Sequence, residues 1–167
     1  ADLVGRVPSI QRVVVVPYAS TEPNISSIRD AVELSDFVGN FTPVDIHFEQ
    51  MPFDHPLYIL YSSGTTGQPK CIVHEAGGML LKHAVEQVAQ FSIGPDSKVF
   101  WFTTLGWMMW NWLASNLAWG ATLLLYDGSP FYPNGNVLWD FAAQENMTLF
   151  GTSAKYIDAC NKAGLKP

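Results

Sequence analysis

The stretch Lys98-VFWFTTLGWMMWNWLASNLAWGATLLLY-Asp127 carries no charge at any of the 28 positions between its flanking residues. A membrane helix needs about 20 apolar residues, so length alone admits one. Content argues against it. Thr103, Thr104, Gly106, Asn111, Ser115, Asn116, Gly120 and Thr122 interrupt the run, and its periodicity changes along the way. Val99 to Thr104 reads as a strand and Trp107 to Trp119 as a helix apolar nearly all round. Gly120 stands where a helix stops, and Thr122 to Tyr126 reads as a second strand. A buried strand, helix and strand in succession is the pattern of a parallel sheet covered on its faces.

The same alternation extends outward. Gly77 to Phe91 places Leu81, Ala84, Val85, Val88 and Ala89 at helical spacing, and Gly94-Pro95 ends it. Before it, Leu57 to Tyr61 reads as a strand, with Ile72 and Val73 as its return. Val13 to Val16 is a β-branched run stopped by Pro17, expected to be a buried strand. Ser20 to Asn24 is turn-like, Ile25 to Phe37 reads as loop with at most one helical turn, and Phe41 to Pro56 as an irregular connection. On the other side, Asp127-Gly128-Ser129-Pro130 is a turn, Val137 to Gln144 a short helix and Met147 to Phe150 a strand. Ser153 can cap a last helix that Gly164 closes. These elements imply the α/β class: a layered, largely parallel sheet with flanking helices.

Composition narrows the function classes. The chain of 167 residues is 48% apolar and only 14% charged, against about 25% charged in an ordinary soluble domain. That balance excludes an extended disordered chain. So little charge fits a chain whose exterior lies against something else or belongs to a larger body. Nine basic and fifteen acidic side chains give a net charge of −6. Without a cluster of Lys and Arg, no nucleic-acid partner is expected. Cys71 and Cys160 lie in neither a disulfide framework nor a metal-ligand spacing, so free thiols in a reducing, cytoplasmic setting are expected. Ala1 to Arg12 lacks the pattern of a signal peptide and the chain lacks a starting Met, so it is expected to begin inside a longer protein.

The residues that carry chemistry run from Tyr61 to Lys70. Ser62, Ser63, Thr65 and Thr66 share six positions with Gly64 and Gly67, directly after a strand, and Pro69-Lys70 closes the segment. The glycines allow positive φ and bring N–H groups near a ligand. The hydroxyls and the Lys70 ammonium suit polyphosphate oxygens. The spacing is not that of a Walker loop, because no Gly-Lys-Ser/Thr occurs. Composition alone leaves a phosphate cradle and an ordinary hairpin tip equally open.

Ser62-Ser63-Gly64-Thr65-Thr66-Gly67-Gln68-Pro69-Lys70 resembles the signature loop of the adenylate-forming acyl-CoA synthetases over nine consecutive positions. Lys70-Cys71-Ile72-Val73-His74, Gly106-Trp107-Met108-Met109-Trp110-Asn111-Trp112 and Leu125-Tyr126-Asp127-Gly128-Ser129-Pro130 resemble the acetoacetate-activating members. Relatives that take acetate or propionate share the Gly-Trp pair but usually lack the continuation. The resemblance implies part of the large N-terminal domain of such an enzyme, with a phosphate loop at 61–70 and an acyl-pocket helix region at 106–119. The C-terminal domain is expected to be missing.

It also implies a ligase reaction: a carboxylate attacks the α-phosphate of ATP, and coenzyme A takes the acyl group. ATP, Mg²⁺ and coenzyme A are thus the expected co-substrates and cofactor of the intact enzyme. Its place would be lipid metabolism, and its partners a small carboxylate and the remainder of its own domain. Ser62, Ser63, Gly64, Thr65, Thr66, Gly67 and Lys70 are assigned to the ATP phosphates, and Trp107, Met108 and Met109 to the acyl pocket. By periodicity alone the Trp and Met stripe reads as core, where Trp110, Trp112 and Trp119 are placed; Asn111 is a candidate polar contact.

No residue of this chain is expected to ligate a metal. Phe150-Gly151-Thr152-Ser153-Ala154 resembles the family's aromatic-Gly-x-Thr-Glu motif, but Ala154 stands where the acid should be. It reads as a strand end and a helix cap. His74 reads as structural. The chain alone is expected to be inactive and to associate through exposed apolar surface. Activation of another short carboxylate, or nucleotide binding without catalysis, are the competing readings.

Overall fold

The computed structural model describes residues 2–62 and 67–165. The chain divides into two compact units, Ala1–Glu49 and Gln50–Pro167. In the first, helix α1 (Asp2–Arg6) precedes strand β1 (Val13–Val15), strand β2 (Ala31–Glu33) and helix α2 (Leu34–Gly39). The two strands pair in parallel, with Val13 opposite Ala31. Strand β2 and the start of α2 lie where a loop was expected, and Val14 is exposed where burial was expected. Three-residue strands show little sequence pattern; their pairing defines them.

The second unit opens with an antiparallel hairpin, β3 (Pro56–Ser62) and β4 (Lys70–Glu75). Helix α3 (Ala76–His83) follows and continues as a π-helical turn over Ala84–Gln90. Then come β5 (Lys98–Trp101), α4 (Met108–Ala114) with its 3₁₀ extension Ser115–Trp119, and β6 (Thr122–Leu124). Helix α5 (Val137–Glu145), β7 (Leu149–Gly151) and α6 (Ala154–Lys162) complete it.

β6, β5 and β7 form a parallel sheet in that order, with Phe100 opposite both Leu124 and Phe150. Because successive residues of a strand point to opposite faces, β5 builds two cores. Val99 packs with Ile93, Trp112, Leu113 and Ala121. Phe100 packs with Leu138, Tyr156 and Cys160. Helix α4 thus covers one face, and α5 and α6 cover the other. Burying each large apolar side chain contributes about 1.5–3 kcal/mol. The chain passes from β5 to β6 over one face and back to β7 over the other, so the winding reverses at β5.

Several expectations hold in detail. Gly120 ends the Trp-rich helix with φ of 77°, the left-handed stop. Ser153 Oγ accepts from the Tyr156 N–H at 3.2 Å, capping α6. Cys71 and Cys160 are both free thiols. Among the described residues no helix is long and apolar enough to cross a membrane.

The stretch 77–91 is helical as its spacing predicts, but its apolar stripe is not the side packed against α4. Leu81, Val85 and Val88 lie exposed, while His83 and Gln87 are buried. Hydrogen bonding explains the inversion. Gln87 Nε2 donates to the Trp112 carbonyl at 2.7 Å and to Ser115 Oγ at 2.9 Å, and its Oε1 accepts from Trp119 Nε1 at 2.5 Å. The π-helical turns hold this amide against α4, and polar satisfaction decides the inward face.

Candidate functional site

The hairpin fixes the entrance to the expected phosphate loop. Ser62 pairs with Lys70 and Tyr61 with Cys71, so Ser62 and Lys70 stand opposite each other at its open end. Gly67 adopts φ of 122°, a conformation that needs glycine. Ser63, Gly64, Thr65 and Thr66 lie outside the described residues. Lys70 is exposed. His74 belongs to the far part of the hairpin, opposite Tyr58 with ring centroids 5.3 Å apart. It lies four steps along the strand from Lys70, about 13 Å at about 3.3 Å per residue. It packs, as its structural reading requires, and burial raises the pKa of Tyr58 beside it.

A second feature arises from the reversal of winding at β5. Ligands of open α/β sheets settle beyond the carboxyl ends of the strands, where the direction of winding reverses. A cavity of about 530 Å³ lies there, lined by Trp101 at the end of β5 and Phe102 to Thr104 after it, Trp107 to Met109 at the start of α4, and Thr152 with Ser153 after β7. Its lining is chiefly apolar, interrupted by hydroxyls. Trp107 is 70% exposed and Met108 46%, so neither is plain core. Met109 packs against the Val99 core, as do Trp110, Trp112 and Trp119. The Trp107 N–H donates to the Thr104 carbonyl at 3.1 Å, which closes the turn carrying Trp107 to the cavity rim.

Asn111 is not part of this constellation. It lines a different cavity of about 520 Å³ with Tyr58, Met79, His83 and Trp119. Burial holds the His83 imidazole below its ordinary pKa; Glu86 pulls it up, while Lys82 and His74 push it down. Among the described residues no three His, Cys, Asp or Glu side chains group to hold a metal ion.

The sequence reading overlooked Trp101, Thr103, Thr104, Thr152 and Ser153 as cavity residues. The segment Phe150 to Ala154 is a strand end and a cap, as expected, yet Thr152 and Ser153 also line the crevice. The available signal was topological: two parallel strands that end side by side share whatever binds beyond them. Gly151 shows the closeness of that approach. A Cβ there would lie 2.0 Å from Trp101 Cε3, so only hydrogen leaves room for the indole.

Residues 4–167 match the AMP-binding enzyme family. The chain is 57% identical over 155 residues to acetoacetyl-coenzyme A synthetase of Rhizobium meliloti (strain 1021), which covers 92% of the chain and 24% of that protein. It is 50% identical over 171 residues to a malonamoyl-CoA synthetase of Penicillium aethiopicum, covering 93% of the chain and 24% of that protein. The acetoacetyl-CoA synthetase structure from Streptomyces lividans superposes with a TM-score of 0.85 at 41% identity, over 98% of this chain and 24% of that one. The chain therefore spans about a quarter of the length of the relatives it matches.

Proposed function

Because the chain belongs to the AMP-binding enzyme family, we propose that it is a section of the N-terminal domain of an acyl-CoA synthetase acting on a short 3-oxo carboxylate, acetoacetate first. Acetoacetyl and malonamoyl groups, named in the two relatives, both carry a carbonyl two carbons from the activated carboxyl. The observation that carries the proposal is the cavity beyond β5 and β7, where Trp107, Met108 and Met109 meet Thr103, Thr104 and Thr152. Its apolar wall suits a four-carbon acid, and its hydroxyls suit the oxygen of a 3-oxo group.

In this reading the loop 61–70 holds ATP. Ser62 to Gly67 and Lys70 receive the β- and γ-phosphates. The substrate carboxylate attacks the α-phosphorus, forming acyl-adenylate and releasing pyrophosphate. The thiol of coenzyme A then attacks the acyl carbonyl and AMP departs. Magnesium, accompanying ATP, adds charge neutralisation. The loop acts electrostatically, its donors poised for charge that builds as pyrophosphate leaves. The helix region 106–119 supplies the acyl wall.

The test is acid-dependent exchange of labelled pyrophosphate into ATP by the intact protein that carries this chain. Acetoacetate is expected to support exchange better than acetate or propionate. Lys70→Ala is expected to slow it by two orders of magnitude or more, in line with loss of a charge-stabilising donor. Exchange unaffected by Lys70→Ala refutes the role of the loop, and equal rates with all three acids refute the substrate class.

A further inference from the structure

Of the four hydroxyl residues lining the cavity, Thr152 is distinguished by its surroundings. Its Oγ1 is buried and, among the described residues, has no hydrogen-bond partner. The others are accounted for. Ser153 Oγ accepts from the Tyr156 N–H, Thr103 Oγ1 donates to the Thr104 carbonyl at 3.4 Å, and Thr104 is exposed to water.

A buried hydroxyl without an acceptor carries its full desolvation penalty, so a ligand that offers an acceptor gains by relieving it. Threonine reaches its hydroxyl positions through three staggered χ1 wells. A turn of one well carries the hydroxyl to another staggered position, with no movement of the backbone that Phe102 pins through its N–H to the Gly151 carbonyl at 2.8 Å. Trp101, fixed against Gly151 and stacked edge-on to Trp112 at 5.3 Å, forms a rigid wall beside it.

We infer that Thr152 is the specificity residue that reads the 3-oxo oxygen of the acid, its side chain turning the hydroxyl into the cavity to donate a hydrogen bond when the acid binds. This rests on the assignment of the cavity to the acyl group. It separates the duties of the lining: Met108 and Met109 set chain length, and Thr152 distinguishes a 3-oxo acid from a saturated acid of equal length.

The pair that isolates this contact is acetoacetate and butyrate, which share four carbons and differ at the 3-oxo group. In the intact protein, the ratio of their kcat/KM values is measured for the wild type, Thr152→Val, Thr152→Ala and Thr152→Ser. Valine keeps the shape and removes the donor; serine keeps the donor. The ratio is expected to fall about tenfold in Thr152→Val and Thr152→Ala, the scale of one neutral hydrogen bond. Thr152→Ser is expected to stay within about threefold of the wild type. An equal loss on both acids, or no change in either, overturns the inference, and so does a Thr152→Ser ratio as low as that of valine. Met109→Ala identifies failure of the cavity assignment itself: unaltered preference among acetate, acetoacetate and six-carbon acids refutes that assignment, whereas altered preference with an unmoved Thr152→Val ratio refutes only the role of Thr152.

Discussion

Gly151→Ala tests how the sheet shapes the cavity. Gly151 occupies β7 opposite Trp101, and its φ is not among the positive values of the chain, so alanine suits the backbone. Space is the obstacle. The new methyl would stand 2.0, 2.3 and 2.7 Å from three indole atoms. Ordinary carbon contact begins near 3.5 Å, so the ring has to retreat by about 1.5 Å. One direction strains its contact with Trp112, at 5.3 Å and 62°; the other leads into the open cavity. Overpacking of this kind costs about 1–3 kcal/mol, and the lost freedom of glycine in the unfolded chain offsets about 0.4–1 kcal/mol of it. A net loss of about 1–2 kcal/mol is expected in urea unfolding of the intact protein. Indole moved into the cavity is expected to lower kcat/KM for acetoacetate more than for acetate, the smaller acid. Unchanged stability together with unchanged acid preference would falsify the role given to this glycine.

Two further outcomes follow from buried polar groups. Gln87→Leu removes three hydrogen bonds, but the Trp112 carbonyl keeps Ser115 Oγ at 2.8 Å and Asn116 Nδ2 at 2.9 Å. Chiefly Trp119 Nε1 is stranded, so a loss of about 1–3 kcal/mol is expected, and adding Trp119→Phe should recover part of it in a double-mutant cycle; strict additivity refutes the network. His83 is held below its ordinary pKa by burial, so the unfolded chain binds its proton first as pH falls. Stability is therefore intact above about pH 6.5 and declines below it; His83→Gln should flatten that slope in unfolding measured from pH 7.5 to 5, and an unaltered slope assigns the effect to other groups.

Much of the fold was legible because local pattern and tertiary environment agree along β5, α4 and β6. The charge-free run, its helical middle and Gly120 specify a covered strand, a helix and its stop. The hairpin was equally plain, since Leu57 to Tyr61 and Ile72-Val73 bracket a turn-rich segment. The helix over 77–91 was legible from its spacing, but not which residues meet α4. There the apolar stripe remains at the surface, and Gln87 goes inside because α4 offers it both a carbonyl and an indole N–H. No periodicity of one helix reports the acceptors of another. The pair β1 and β2 escaped for a related reason: three residues each, joined only by register.

At the site, composition and spacing alone determined that a Ser-, Thr- and Gly-rich segment follows a strand and that an aromatic and Met stretch opens a helix, leaving a phosphate cradle and a hairpin tip equally open. They could not say whether Trp107 and Met108 are core or lining, because both roles use the same side chains. The tertiary structure decides it through strand order. Placing β7 beside β5 brings Thr152 across from Trp101 and Met109, residues more than forty positions apart in the chain. A cavity is a property of that juxtaposition: it exists only where the ends of two parallel strands leave space that neither strand, read by itself, contains.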